Sequence, residues 1–473
     1  MIISCLFAFL SSVQFVLFLQ KIDPSGLSSL VFFFIFGALL FIRRRLMVLS
    51  SLSGANNNTD VYLVDFSCFK PPDFCRVPFN SFLEHASMIG IFDRDSIEFM
   101  AKILTSSGQG EETYLPPALH CIPPRTGYSE SIKEAEMVLF SVMDDLLYKT
   151  DTSPLDIDIL IVNCSGFCPS PSLASIIVNK YGLRSDVKSF NISGMGCSAG
   201  AIGIDLACSL LRVHSSCNAI VISTEILSTG WYSGHERQKL LLNCLFRMGS
   251  SAVLLTNKNN NNNKKNISAK YRVVCSFRTQ TASDDRAYNS AIREEDSKGK
   301  LGVTLKRDLL LVAGEALRSN VTILGSTMFP LADKCRHAVS VIWRRYFNKS
   351  AEIYVPNFKT VIQHFCLPTS GRSLITEIAK GLKLGESDME AALMTLHRFG
   401  NQSSSSLWYE LSYMEAKERV KVGDRVWMLG MGSGPKCTSI ILECLRPITD
   451  ESKRGPWVSS IHKYPVLVME PHA

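Results

Sequence analysis

The chain has 473 residues, 46% hydrophobic and 20% charged, which is ample apolar material for one large domain or two fused medium ones. This composition excludes a disulfide miniprotein, a collagen-like fibre and a largely disordered chain. The net charge of +7, from 50 Lys and Arg against 43 Asp and Glu, suits an acidic substrate or a membrane surface; the basic residues are scattered and form no nucleic-acid footprint.

Residues 2–19 are apolar and uncharged, and a polar break at Gln20-Lys21-Ile22-Asp23-Pro24 follows. A second apolar run, about Leu27 to Ile42, ends in Arg43-Arg44-Arg45. A spanning helix needs roughly 20 apolar residues, so the two runs read as a tight transmembrane hairpin over residues 1–45. The triple arginine belongs on the cytosolic side and puts the remainder in the cytosol. A cleaved signal peptide is the competing reading, but no basic residue precedes the first run and a second run follows. The 15 cysteines agree with a reducing compartment: they are odd in number and scattered, with no CxxC pair and no Cys/His grouping at zinc spacing. No metal site is expected.

From about Asp60 to Thr150 the pattern is irregular and proline-punctuated, with one helix over Glu130–Lys149. A βαβ rhythm then begins. Strands are predicted at Ile157–Asn163, Val187–Ile192, Asn218–Thr224 and Ser251–Thr256, with helices at Ser172–Tyr181 and Ser198–His214. Residues 257–266 are Asn- and Lys-rich and read as a solvated linker. Beyond it helices are predicted at Arg307–Asn320, Ala332–Arg345, Gly371–Gly381, Asp388–His397 and Ser403–Val420. Strands are predicted at Thr360–Cys366, Arg425–Leu429 and Thr438–Leu445. The expectation is an α/β protein of two comparable halves, 46–256 and 267–473, around the polar linker.

The most informative segment is Phe190-Asn-Ile-Ser-Gly-Met-Gly-Cys197-Ser-Ala-Gly200. A strand enters a glycine-flanked turn, Cys197 sits at the bend, and a helix starts behind it. Backbone N–H groups at such a helix start favour a thiolate, and Gly194 and Gly196 permit the tight turn. A small buried cysteine is the bland alternative, as expected of Cys208 on the following helix; the glycines and the strand–turn–helix context favour a nucleophile.

This segment resembles the active-site signature of plant 3-ketoacyl-CoA synthases, the condensing enzymes of very-long-chain fatty acid elongation. Gly110-Glu-Glu-Thr-Tyr-Leu-Pro-Pro117, Asn243-Cys-Leu-Phe-Arg-Met-Gly249 and the run from Thr395 to Glu410 extend the likeness over nearly the whole chain. The resemblance implies a thiolase-like duplicated layered fold, usually dimeric, with paired N-terminal membrane segments. It implies malonyl-CoA and long-chain acyl-CoA as substrates and no resident cofactor. The implied setting is the endoplasmic reticulum membrane with the catalytic domain cytosolic, and the implied partners are related synthases in homo- or heterodimers and other elongase subunits. Cys197 would carry the acyl group as a thioester, and Asn401 matches the catalytic asparagine, although on residues alone it reads as a helix cap. His397 matches a family histidine that either serves the site or orients the loop. Gly432 and Gly434 match a loop whose backbone N–H groups approach the acyl carbonyl; alone they read as an ordinary turn.

The match fails at several site positions. Where the family reads His-Phe-Cys-Ile-His, this chain reads His364-Phe-Cys-Leu-Pro368, so Pro368 occupies the catalytic-histidine position and supplies neither base nor donor. His364 is retained, yet four residues of strand separate it from position 368 by about 13 Å. Gln280 likewise replaces a family histidine. Two readings follow: an active synthase in which His364 or water covers for the missing group, or a catalytically impaired relative that binds acyl chains or regulates active elongase subunits.

Overall fold

The computed structural model describes residues 60–258, 269–306 and 308–466. The expected membrane hairpin lies outside them, as does the linker from residue 259 onward. In chain order the elements are β1 (Tyr62–Cys68), α1 (Phe79–Met88), α2 (Arg94–Ser106), α3 (Tyr128–Thr150), β2 (Ile159–Asn163), α4 (Leu173–Tyr181), β3 (Lys188–Ile192), α5 (Ala199–Val213), β4 (Asn218–Thr224), α6 (Arg237–Leu245) and β5 (Ser250–Thr256). They continue with β6 (Tyr271–Gln280), β7 (Ala291–Glu295), β8 (Leu301–Leu305), α7 (Leu309–Met328), α8 (Leu331–Tyr346), β9 (His364–Cys366), α9 (Arg372–Leu382), α10 (Glu386–Phe399), α11 (Ser406–Ala416), β10 (Arg425–Gly432) and β11 (Lys436–Cys444).

Nine strands form one sheet in the order β3-β2-β4-β5-β1-β6-β11-β10-β9, and it contains a repeat. β2 is parallel to β4, β4 antiparallel to β5, and β5 antiparallel to β1. β9 is parallel to β10, β10 antiparallel to β11, and β11 antiparallel to β6. The order along the chain also agrees, β1-β2-β4-β5 against β6-β9-β10-β11, so one topology is used twice. The halves meet at β1 and β6 through two residue pairs, Tyr62 with Arg272 and Leu63 with Tyr271.

That short seam lets the sheet fold over. α5 packs on β2 and β4 of one half and on β10 and β11 of the other. Strands are spaced about 4.8 Å apart, so β2 and β10 would be roughly 29 Å apart in a flat sheet, well beyond one helix diameter. The two halves therefore face each other across a helical layer. α11, which also touches β1, β9 and β10, is buried along nearly its whole length, as expected of a helix covered on all sides. The turn before α5 together with α5, Gly196–Val213, is long and apolar enough to cross a membrane, yet more than half of it is buried in this layer.

The expected βαβ elements are present with shifted ends: Thr360–Cys366 is reduced to His364–Cys366, and Phe358–Thr360 is a 3-10 turn. The reading of residues 60–150 as irregular apart from one helix is corrected, because β1, α1 and α2 lie there. β1 is central, but Asp65 interrupts its apolar run. Asp65 is buried because Lys270 Nζ, 2.7 Å away and itself held by Glu415 and Glu451, neutralises it, a partner two hundred residues distant. Asn257 is not linker: it is buried, its Oδ1 accepts from Cys217 N at 2.7 Å, and its amide NH2 donates to Leu211 O and His214 O.

Candidate active site

β3 ends at Ile192, and Gly196–Ser198 form one 3-10 turn that runs directly into α5. Gly194 and Gly196 have φ of +69° and +59°, left-handed values that a side chain would strain. A Cβ on Gly196 would lie 2.5 Å from Ser433 N, and one on Gly432 would lie 2.3 Å from Met195 O. The β10–β11 hairpin tip, with Gly434 at φ +58°, is thus interlocked with the turn that carries the thiol. A Cβ on Gly200 would lie 2.2 Å from Ser404 O, so the serine run closes on the same turn from another side.

Cys197 lines a narrow, partly open cleft with Pro368, Thr369, Asn401, Ser403 and Gly430, among others. Asn401 is pinned by backbone: its N–H donates to Leu245 O at 3.3 Å and its carbonyl accepts from Arg247 N at 2.9 Å. Its side-chain Oδ1 accepts from Ser403 N at 2.9 Å, so Asn401 caps the serine turn and lines the cleft at once. Ser403 has φ +56°. Its Oγ is 3.4 Å from Cys197 Sγ and 3.3 Å from Glu225 Oε2. One hydroxyl carries one proton, so Ser403 donates to one of these neighbours at a time.

Glu225 directly follows β4, and its carboxylate accepts from Gly166 N at 2.7 Å and Ser165 N at 3.3 Å. Burial raises its carboxyl above the usual range, and those two backbone donors oppose the rise. Burial also pushes the Cys197 thiol up to about 11; the Ser403 hydrogen bond pulls it down and the Glu225 charge pushes it up. The helix start is present as the sequence implies, but desolvation outweighs it.

Pro368 is in the cleft; His364 is not among the lining residues, and its Nε2 is 2.9 Å from Asp424 Oδ2. Gln280 is exposed at the end of β6, paired with Lys436. His397, in the last turn of α10, packs its ring on Gly110, where a Cβ would lie 2.5 Å from Cε1, and its Nδ1 is 3.1 Å from Tyr464 Oη. Its backbone carbonyl accepts from Gly110 N at 2.8 Å, and burial lowers its pKa.

The Asn243–Gly249 segment, away from the thiol, packs against the Asn401 loop. Arg247 is fully buried, donating to Thr113 Oγ1 at 3.0 Å and Phe246 O at 2.7 Å, and a Cβ on Gly249 would lie 2.4 Å from Gln402 Cγ. Sequence reasoning missed Glu225 and Ser165. The available signal was position, since both follow the carboxyl ends of neighbouring parallel strands, where α/β sheets place their ligands.

A doubled α/β topology, a cysteine lifted at a strand–helix turn and an asparagine in the same cleft define a thiolase-like condensing enzyme. A family model described as FAE1/Type III polyketide synthase-like protein matches residues 54–346, and one for the C-terminal part of 3-oxoacyl-[acyl-carrier-protein] synthase III matches residues 359–444. The fold is similar to PKS-I from the brown alga Ectocarpus siliculosus, with TM-score 0.65 and 16% identity over 82% of this chain and 100% of that one. It is also similar to 1,3,6,8-tetrahydroxynaphthalene synthase from Streptomyces coelicolor, with TM-score 0.61 and 15% identity over 81% and 99%.

The sequence narrows the family further. The chain is 49% identical over 410 residues to 3-ketoacyl-CoA synthase 5 of Arabidopsis thaliana, covering 87% of this chain and 82% of that one. 3-Ketoacyl-CoA synthase 6 of the same plant matches with the same identity and coverage. The chain belongs to the 3-ketoacyl-CoA synthase family.

Proposed function

We propose that the chain catalyses the decarboxylative condensation of malonyl-CoA with a long-chain acyl group held on Cys197, giving a 3-oxoacyl-CoA, carbon dioxide and CoA. The observation that carries this reading is that Cys197 and Asn401 line one cleft, with the Gly432–Gly434 hairpin interlocked on the thiol turn. Cys197 attacks the acyl-CoA carbonyl and the C–S bond to CoA breaks. Malonyl-CoA then loses carbon dioxide, and its enolate carbon attacks the Cys197 thioester, returning the thiolate. The Asn401 carbonyl is engaged by Ser403, so its NH2 end is the donor offered to the enolate oxygen. His397 acts as an orienting residue. Pro368 offers nothing to the enolate, and losing one such donor typically costs about 10²–10³-fold in rate; the expected enzyme is slow.

Support for a membrane anchor is the pair of apolar runs before Arg43-Arg44-Arg45; the triple arginine supports halves 46–256 and 267–473 facing the cytosol, and the family supports the endoplasmic reticulum as the membrane. Dimer formation and contact with other elongase subunits belong to the same reading. The test is incorporation of labelled malonyl-CoA into 3-oxoacyl products by microsomes carrying the full chain. Turnover above background that Cys197→Ala abolishes supports the reading. Equal product with and without Cys197 overturns it. Pro368 favours a second reading, an acyl-binding relative without turnover, and that reading requires long-chain acyl-CoA binding with no product.

A further inference from the structure

α8 presents its faces in the reverse of the usual order. Asp333, His337 and Ser340 share its inner stripe and are polar, tied to the segment after the helix: Tyr354 Oη donates to Asp333 Oδ1 at 2.9 Å, His337 Nδ1 lies 2.7 Å from Tyr354 O, and Tyr354 N donates to Ser340 Oγ at 2.9 Å. The opposite stripe is apolar and open. Leu331 is 75% exposed, Val339 63%, Ile342 52%, Trp343 52%, and Tyr346 60%. Trp343 stacks on the still more open Phe347 with centroids 4.9 Å apart, and no residue of α8 is buried. A helix of a water-surrounded protein turns this stripe inward; an uncovered patch of such residues marks a docking surface.

Charge identifies what covers it. At 100° per residue, Arg336 borders the stripe on one side, and Lys334 and Arg345 border it on the other. Between Leu331 and Glu352 there are five Lys and Arg against two Asp and Glu. An apolar stripe with Trp and Tyr, edged by basic side chains, fits the interface of an anionic bilayer, with the rings at headgroup depth and the cations on phosphates. We infer that α8 is a second membrane contact, lying in the cytosolic interface of the bilayer that holds the N-terminal segments. This rests on the membrane-anchored reading above.

The five tryptophans make the test selective. Trp231, Trp408, Trp427 and Trp457 are at most 8% exposed, and Trp343 alone is open. The full chain is reconstituted into phosphatidylcholine–phosphatidylserine vesicles, floated, and its tryptophan emission compared with ordinary and brominated phosphatidylcholine. The expected result is loss of the Trp343 component, greater for bromine near the glycerol end of the acyl chain than near the methyl end. That loss is absent in Trp343→Phe and reduced in Lys334→Glu/Arg345→Glu. A chain that floats without such quenching overturns the docking face and leaves the anchor standing, whether residues 1–58, a second copy or water covers the stripe. A chain that does not float overturns both.

Discussion

The two halves of this protein repeat one topology, and at their facing ends they differ in the groups they bring to the cleft. On the β2–β4 side, the end of β2 presents Ser165 and Gly166 N–H groups to Glu225, and the adjoining turn holds Cys197 by interlocked glycines. On the β9–β10 side, the end of β9 leads into Pro368-Thr369-Ser370, where no imidazole stands, although Asn401 and the Gly432–Gly434 hairpin keep their places. On the function proposed above, an imidazole at position 368 would act on the substrate and not support the fold. Thr369 Oγ1, buried in the same segment without a partner, is a polar group left facing inward there.

The sharpest way to break the comparison is to restore the missing group. Pro368→His is expected to raise condensation by about 10²–10³-fold in the malonyl-CoA assay, the worth of one oxyanion donor. An unchanged rate would mean that the proline side is already complete. Next in size is Gly432→Ala, whose Cβ falls 2.3 Å from Met195 O and 2.5 Å from Ser198 Oγ. Forced overpacking of this kind costs about 1–3 kcal/mol, read as a lower unfolding midpoint with slower thiol alkylation.

A smaller effect separates the groups around the thiol. Cys197 ionises near 11, raised by burial and by Glu225 and lowered by Ser403. A thiol reacts only as thiolate, so its alkylation rate rises with pH up to that value. Glu225→Gln removes a negative charge and is expected to move the alkylation profile to lower pH. Ser403→Ala removes the stabilising hydrogen bond and is expected to move it to higher pH. A slower reaction of Glu225→Gln at neutral pH would show instead that the carboxylate takes the thiol proton through Ser403. The smallest effect is expected of His364→Gln, which removes the contact with Asp424 outside the cleft. Stability falls by no more than about 1 kcal/mol and turnover is unchanged; a dead His364→Gln enzyme would restore this histidine to the mechanism.

Legibility followed the range of the interactions. The strand Asn218–Thr224, the helix behind Cys197 and the thiol turn depend on neighbours within a few residues, and apolar period and glycine placement reveal them. β1 escaped notice because Asp65 breaks its pattern and its counter-ion is Lys270. β6 and the β7–β8 hairpin were also missed, as were α1, α2 and α6. The spacing along the strand already sets His364 too far from position 368 for a simple substitution; the register of β9 on β10 is what directs it to Asp424.

What the sequence determined by itself is the set of groups present: a cysteine at a strand-to-helix bend, an asparagine before a serine run, and a proline where the family resemblance implies a histidine, since covalent composition settles which groups exist. The tertiary structure decided proximity and environment. It brought Glu225 and Ser403 to the sulfur, set burial against the helix start in fixing the thiol's acidity, and turned the apolar stripe of α8 outward. Those outcomes depend on groups far apart along the chain, which only the folded-over sheet places side by side.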